Sequence, residues 1–165
     1  MSNSKKVAYY GVFAALAILM GYVETFIPMP VPVPGIKPGL ANIIILMAMF
    51  MMGEKQAFSV SMVRIVMSAL LFSGLAGLIY SAAGGLLSFL IMLLAKRSGR
   101  VGIETISVLG AISHNVGQLL VAAAVVENAS LFLYFPPLII SGVVTGLFTG
   151  ISAKAALRVF KKQRH

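Results

Sequence analysis

The stretch "VAYYGVFAALAILMGYVETFI", residues 7–27, decides the fold class of this chain. Its 21 positions hold one charged residue, Glu24. As an α-helix it would be about 32 Å long, which is enough to cross the hydrocarbon core of a bilayer. A cleaved signal peptide would have a shorter apolar core and a small-residue cleavage site. We therefore predict a retained membrane-spanning helix.

The rest of the chain has the same character. Of its 165 residues, 59% are hydrophobic and only 10% are charged, and the mean hydropathy is +1.00. This composition is typical of integral membrane proteins. We predict a single all-α transmembrane domain over residues 1–165, built as a bundle of six helices. The predicted spans are residues 7–27, 39–52, 57–73, 75–95, 105–126 and 137–157.

The placement of Lys and Arg predicts the topology. Basic residues cluster before the first span, in the second and fourth loops and after the last span. The first, third and fifth loops together hold one, Lys37. Positive charge marks the cytoplasmic side, so we predict a multi-pass protein of the cell membrane with both termini in the cytoplasm. The net charge of +9 is explained by this topology, and we expect no nucleic-acid partner.

The first loop lies in "FIPMPVPVPGIKPGLAN", residues 26–42, which holds five of the seven prolines. Proline removes backbone donors and favours an extended, polyproline-like chain. On the outer face, this loop is either a lid over a cavity, with Lys37 contacting a ligand, or a stiff connector.

Several polar residues interrupt the apolar spans. Arg64 lies near the middle of the third, where a charge costs at least about 2.5 kcal/mol on insertion scales. It is either an anion-binding group or a buried Arg bonded to carbonyls and hydroxyls. The fifth span contains "GAISHNVGQLLVAA", whose polar side chains share one side of a helix. They form a ligand-binding face or a structural network. The candidate substrate-binding residues are Lys37, Asn42, Arg64, His114, Asn115 and Gln118.

An acidic residue and the tyrosines near the span ends also need an interpretation. Glu24 is either an interfacial charge or a partner that neutralises Arg64 or Lys37. Tyr80 and Tyr134 are most simply residues of the aromatic belt at the membrane surface.

Small residues form ridges on two helices. Gly142, Gly146 and Gly150 repeat every four residues in the last span, which favours close packing against another helix. The first span carries two ridges, one of Gly11 and Ala15 and one of Ala14, Ala17 and Gly21. These ridges serve packing within the chain or against a second membrane subunit.

The composition argues against an enzyme. The chain has no Cys and no Asp, and its four Glu residues are widely spread. Clustered acids for magnesium binding or acid–base catalysis are therefore missing from the sequence, as is a phosphate-binding GxxxxGK[ST] loop. We expect neither a cofactor nor a metal.

The motifs "PGIKPGLANIIILMAMF", residues 34–50, and "HNVGQL", residues 114–119, resemble a bacterial membrane family. That family is named heptaprenyl diphosphate synthase component I, or the Gx transporter family, and the resemblance covers nearly the whole chain. More distantly, the architecture is similar to the substrate-binding S components of energy-coupling factor transporters. Polyprenyl diphosphate synthases use Asp-rich motifs, so the resemblance to the first family implies at most an accessory role in polyprenyl (heptaprenyl) diphosphate or quinone metabolism.

The S-component resemblance implies a small membrane receptor for import. It would capture a vitamin-like or cofactor-precursor ligand outside, anionic if Lys37 and Arg64 contact it. It would work with a membrane coupling subunit and two cytoplasmic ATPases. In S components a small-residue ridge on the first helix contacts the coupling subunit, and Gly11 and Ala15 match that spacing. A scaffold membrane subunit without a ligand is the remaining alternative.

Overall fold

The computed structural model describes residues 3–27 and 40–162. Lys37 and most of the proline-rich loop lie outside this range. The described chain is helical, without a strand, and contains the following α-helices: α1 Asn3–Val23, α2 Asn42–Met51, α3 Glu54–Ser68, α4 Gly74–Ser98, α5 Ile103–Val126 and α6 Phe135–Lys162. Short 3-10 helices cover Glu24–Phe26 and Ala129–Tyr134, and a π-helical turn covers Ala69–Ser73.

The predicted class, an all-helical membrane protein, is confirmed. Four stretches are long and apolar enough to cross a membrane: Val7–Phe26, Glu54–Ser98, Ile103–Val126 and Ala129–Phe160. Helix α2 is apolar but shorter. The count of six spans stays a prediction.

The 45-residue stretch Glu54–Ser98 folds back on itself at Gly74. This glycine has φ 63° and ψ −167°, a conformation that L side chains rarely adopt. Ile65 of α3 precedes this turn and Gly85 of α4 follows it, yet the two lie close together. A Cβ added at Gly85 would lie 2.8 Å from Cδ1 of Ile65. Helices α3 and α4 therefore pack side by side, as a helical hairpin.

Helix α5 lies between α4 and α6. Cβ atoms added at Gly142, Gly146 and Gly150 would lie 3.1, 2.5 and 2.8 Å from backbone atoms of α5. The ridge of the last helix is thus used for packing within the chain. On the other side of α5, a Cβ added at Gly117 would lie 2.7 Å from the Ala83 carbonyl oxygen of α4. Close backbone approach is the typical use of glycine in membrane helices.

The hydrophobic core is built around α2. Its side chains from Ile44 to Met49 are all buried, as expected for a helix that is apolar on every side. Tyr80 is also buried, against Leu119, Ala122 and Leu138. The interpretation of Tyr80 as an aromatic-belt residue is therefore wrong, because it faces the interior of the bundle.

Polar contacts tie the elements together at one end of the bundle. Lys96, near the end of α4, donates to the Met49 carbonyl of α2 at 3.0 Å. Arg97 pairs with Glu54 of α3 at 2.7 Å, and Lys154 of α6 pairs with Glu104 of α5. These are the ends that the charge pattern predicts to be cytoplasmic.

Candidate functional site

Five of the six predicted substrate-binding residues lie in the described chain, and all five are buried. Their exposed fractions are 6% or less: Asn42 6%, Arg64 4%, His114 1%, Asn115 2% and Gln118 0%. Lys37 lies outside the described residues. Polar groups away from water are costly unless they have partners, so the contacts of each decide what it can do.

Arg64 forms an ion pair with Glu24. Its Nη2 lies 3.5 Å from Oε2 of Glu24, at the end of α1, and Glu24 is 2% exposed. Glu24 is therefore not an interfacial charge, and the alternative that it neutralises Arg64 is confirmed. A buried charge needs such a partner, since removal of one member of a buried pair typically costs 3–5 kcal/mol.

Glu24 also holds the start of α2. Its Oε1 accepts a hydrogen bond of 2.7 Å from the backbone N–H of Ala41. One carboxylate thus connects the end of α1, the start of α2 and the middle of α3. It thus brings together two described segments that are 17 residues apart in the chain.

Gly21 of α1 leaves room for this arrangement. A Cβ added there would lie 3.7 Å from Nε of Arg64 and 3.3 Å from the hydroxyl of Ser68. Within the described residues, the buried Ser68 hydroxyl has no hydrogen-bond partner. It lies beside the guanidinium and is available to a ligand or to water.

His114 and Gln118 face Gly84 of α4. A Cβ added at Gly84 would lie 2.8 Å from Cγ of Gln118 and 3.1 Å from Cε1 of His114. The two side chains are one turn apart on α5, so they share this face. Gly84 allows both to lie close to the α4 backbone.

Asn115 points to a different helix. Its Nδ2 donates to the Leu138 carbonyl of α6 at 2.9 Å, and its Oδ1 has no partner among the described residues. The three polar residues of α5 therefore divide between two neighbours. The expectation that Asn115 shares a face with His114 and Gln118 differs from the structure, because successive helical residues point about 100° apart.

Asn42 lies where α2, α4 and α5 meet. Its Nδ2 is 3.5 Å from the Ser88 hydroxyl of α4, at the limit of a hydrogen bond. The same hydroxyl would lie 3.3 Å from a Cβ on Gly110, one turn before His114. We call the following residues the buried polar layer: Glu24, Asn42, Arg64, Ser68, Ser88, His114 and Gln118.

The side chains of the buried polar layer offer hydrogen-bond donors and acceptors, and the neighbouring Ser113 does not pair with His114 in the described residues. Ser113, next to His114, donates to the Leu109 carbonyl of its own helix at 2.6 Å and is thus not directed at the imidazole. Within residues 3–27 and 40–162, no three His, Asp or Glu side chains are grouped as a metal site would need. Hydrogen-bond donors and acceptors in an apolar surround are the composition of a small-molecule site.

The family assignment comes from the sequence. The profile of heptaprenyl diphosphate synthase component I matches residues 13–156. The chain belongs to this family. No curated protein and no solved structure matches it. The match includes every residue of the buried polar layer, and the word "component" in the family name implies a protein that works with partner subunits.

In this family member the two ridges of α1 have different surroundings. Ala17 and Gly21 are buried against the bundle, whereas Gly11 and Ala15 are exposed. A Cβ added at Gly11 would meet no atom within 4 Å. The outward ridge is therefore not used by the described part of this chain.

Three members of the buried polar layer, Glu24, Ser68 and Ser88, were not among the site residues predicted from the sequence. The signal for Glu24 was present, because it is the one carboxylate of the first apolar stretch and Arg64 needs a counter-ion. Nothing in the local sequence of Ser68 or Ser88 sets these serines apart from others in the apolar spans.

Proposed function

We propose that this protein is the substrate-binding subunit of an importer of the energy-coupling factor type. The observation that carries the proposal is the buried polar layer, contributed by five helical segments in a membrane bundle. Ionisable and polar side chains inside membrane proteins are expensive, and they commonly mark ligand or ion sites. Here neighbouring contacts link them across five helical segments, and a small molecule bound among them would meet hydrogen-bonding groups within apolar walls.

The hairpin at Gly74 supports a bundle of six transmembrane helices. It divides Glu54–Ser98 into two antiparallel helices, and α2 is surrounded by the others. The ion pairs of Glu54 with Arg97 and of Glu104 with Lys154 lie at one end. With the distribution of Lys and Arg, this supports a cytoplasmic location of that end and of both termini.

The ligand would enter from the opposite, outer end. Asn42, His114 and Gln118 would orient it by hydrogen bonds, and Arg64 would donate from the side. Asn115, held by the Leu138 carbonyl, would fix α6 against α5. Lys37 would contact the ligand from the proline-rich loop. Vitamin-like molecules and cofactor precursors have the size and mixed polarity for such a site.

The outward ridge of α1 supports a partner in the membrane. Gly11 and Ala15 present a smooth exposed surface on which a coupling subunit could pack closely. Two ATPase subunits in the cytoplasm would supply the energy, since this sequence has no phosphate-binding loop of its own. The protein itself would bind and not catalyse.

The ligand is best identified with the purified full-length protein in nanodiscs. Native mass spectrometry would detect a retained small molecule, and calorimetry would measure binding of vitamins, flavins and quinone precursors. We expect binding with one-to-one stoichiometry. The double variant His114→Leu/Gln118→Leu should lose it, while Ser59→Ala, on the exposed face of α3, should not.

Two results would argue against the proposal. Folded protein that retains no small molecule and binds no compound of the panel would exclude a receptor for these ligands. Co-purification with a prenyl diphosphate synthase, together with a rise in its turnover, would favour the accessory role instead.

The coupling surface is tested separately. Gly11→Leu should leave the helix content of the protein unchanged and abolish co-purification with its membrane partner. Leu90→Phe adds bulk to an exposed position of α4 and serves as the control. Equal recovery of the partner with both variants would contradict the assignment of Gly11.

A further inference from the structure

In the part of the chain that the structure describes, the interior of the bundle contains one positive and one negative side chain. Among the Lys, Arg and Glu side chains that the structure describes, only Arg64 and Glu24 are buried. Their ion pair, with 3.5 Å between Nη2 and Oε2, makes the formal charge of the buried polar layer zero when His114 is neutral. Arg64 alone would attract an anion, whereas the pair of Arg64 with Glu24 carries no net charge.

Glu24 is held in place by a second contact. The 2.7 Å hydrogen bond from the Ala41 backbone to Oε1 holds the carboxylate through the oxygen that does not face Nη2 of Arg64 in the ion pair. Only 2% of the surface of Glu24 is exposed, so its carboxylate lies in the interior of the bundle. An anion that reaches Arg64 would therefore share a buried space with a second negative charge.

We propose that Glu24 is a specificity-determining residue that selects ligands uncharged in the part reaching Arg64. This inference rests on the proposed function and replaces the expectation of an anionic ligand. At an effective dielectric constant of about 20, repulsion between two negative charges about 7 Å apart reduces affinity on the order of tenfold to a hundredfold. A carbonyl or hydroxyl oxygen avoids this repulsion.

Neutral groups have suitable partners in the layer. A guanidinium carries five N–H donors, and in the described chain only Nη2 of Arg64 contacts a carboxylate. The Ser68 hydroxyl beside it has no partner there. A ligand amide, alcohol or ring nitrogen could bond to both without adding charge. Such a ligand would be the neutral counterpart of a carboxylic acid or a phosphate ester, that is, the corresponding amide or alcohol.

The first test needs no knowledge of the ligand. Glu24→Gln keeps the side-chain length and an acceptor for the Ala41 N–H but removes the charge, so that Arg64 becomes an anion site. The probe is inorganic phosphate, compared with chloride at equal ionic strength. Phosphate should raise the apparent Tm of Glu24→Gln. It should leave the wild type and the double variant Glu24→Gln/Arg64→Gln unchanged.

The second test uses matched pairs of ligands, such as nicotinamide with nicotinate and a vitamin alcohol with its phosphate ester. The wild type should bind the neutral member of a pair about tenfold or more tightly than the anionic member. Glu24→Gln should reduce or reverse that preference.

The outcomes separate this inference from the importer proposal. If no neutral compound binds but phosphate acts on Glu24→Gln alone, the counter-ion role stands and the receptor function fails. Phosphate stabilisation of the wild type that disappears in Arg64→Gln would overturn the inference, as would a Glu24→Gln protein that ignores phosphate. If Glu24→Gln does not fold, the comparison of wild type with Arg64→Gln decides: equal responses to phosphate support the inference.

Discussion

Replacement of Gly84 by Ala tests the contact between α4 and the face of α5 that carries His114 and Gln118. The added Cβ would lie 2.8 Å from Cγ of Gln118 and 2.9 Å from the His114 carbonyl oxygen, whereas ordinary contact begins at 3.4 Å. The Gln118 side chain can shift, but the carbonyl moves only with the α5 backbone. The displacement needed is about 0.5 Å, the tolerance within which a binding site must be held.

Two opposing effects set the size of the change in the free energy of unfolding of Gly84→Ala. Overpacking of a close helix contact costs about 1–3 kcal/mol, and exchange of Gly for Ala in a helix returns up to about 1 kcal/mol. We expect a net loss of about 1–2 kcal/mol, which lowers the apparent Tm by about 2–8 °C at this chain length. Ligand affinity should fall by about tenfold or more, because His114 and Gln118 move together.

The assay is thermal unfolding followed by circular dichroism in one detergent, with calorimetry for the ligand. Gly11→Ala is the matched control, since a Cβ at Gly11 meets nothing within 4 Å. It should keep or slightly raise the apparent Tm. If Gly84→Ala matched Gly11→Ala in both stability and affinity, the described packing of α4 on α5 would be refuted.

Arg64→Ala should destabilise the protein by about 3–5 kcal/mol, because it leaves Glu24 buried without its counter-ion. In denaturant unfolding, the double variant Arg64→Ala/Glu24→Ala should lose less stability than the sum of the losses of the two single variants. Additive losses would mean that the two charges do not interact. Asn115→Leu removes one hydrogen bond and should cost about 1 kcal/mol without loss of ligand, whereas Gln118→Leu should lose the ligand. Calorimetry on both variants checks this, and equal losses would place Asn115 in the binding site.

The positions of the helices were largely predictable. The spans expected at residues 105–126 and 137–157 correspond to α5 and to most of α6, Phe135–Lys162. The prolines of α6 lie at its start, where a missing backbone N–H costs little because no helical hydrogen bond is lost. The turn at Gly74 separates two segments that the hydropathy pattern had already divided. These features depend on neighbouring residues along the chain, so they can be read without a structure.

The contacts of the site were less predictable. Arg64 was expected to face the interior, yet its pairing with Glu24 requires that α1 and α3 be neighbours. Likewise, Asn115 bonds α6 because α5 lies between two helices, and Tyr80 is buried because α5 and α6 cover it. Such neighbour relations are set by packing over the whole bundle.

The sequence by itself determined the membrane class, because long apolar stretches in lipid must satisfy their own backbone hydrogen bonds and therefore form helices. It also determined which spans carry polar groups. Only the tertiary structure decided that Arg64 is neutralised by Glu24 and that one α1 ridge, Gly11 with Ala15, stays exposed. Both depend on distances between helices far apart in the chain, which side-chain packing sets and local composition does not.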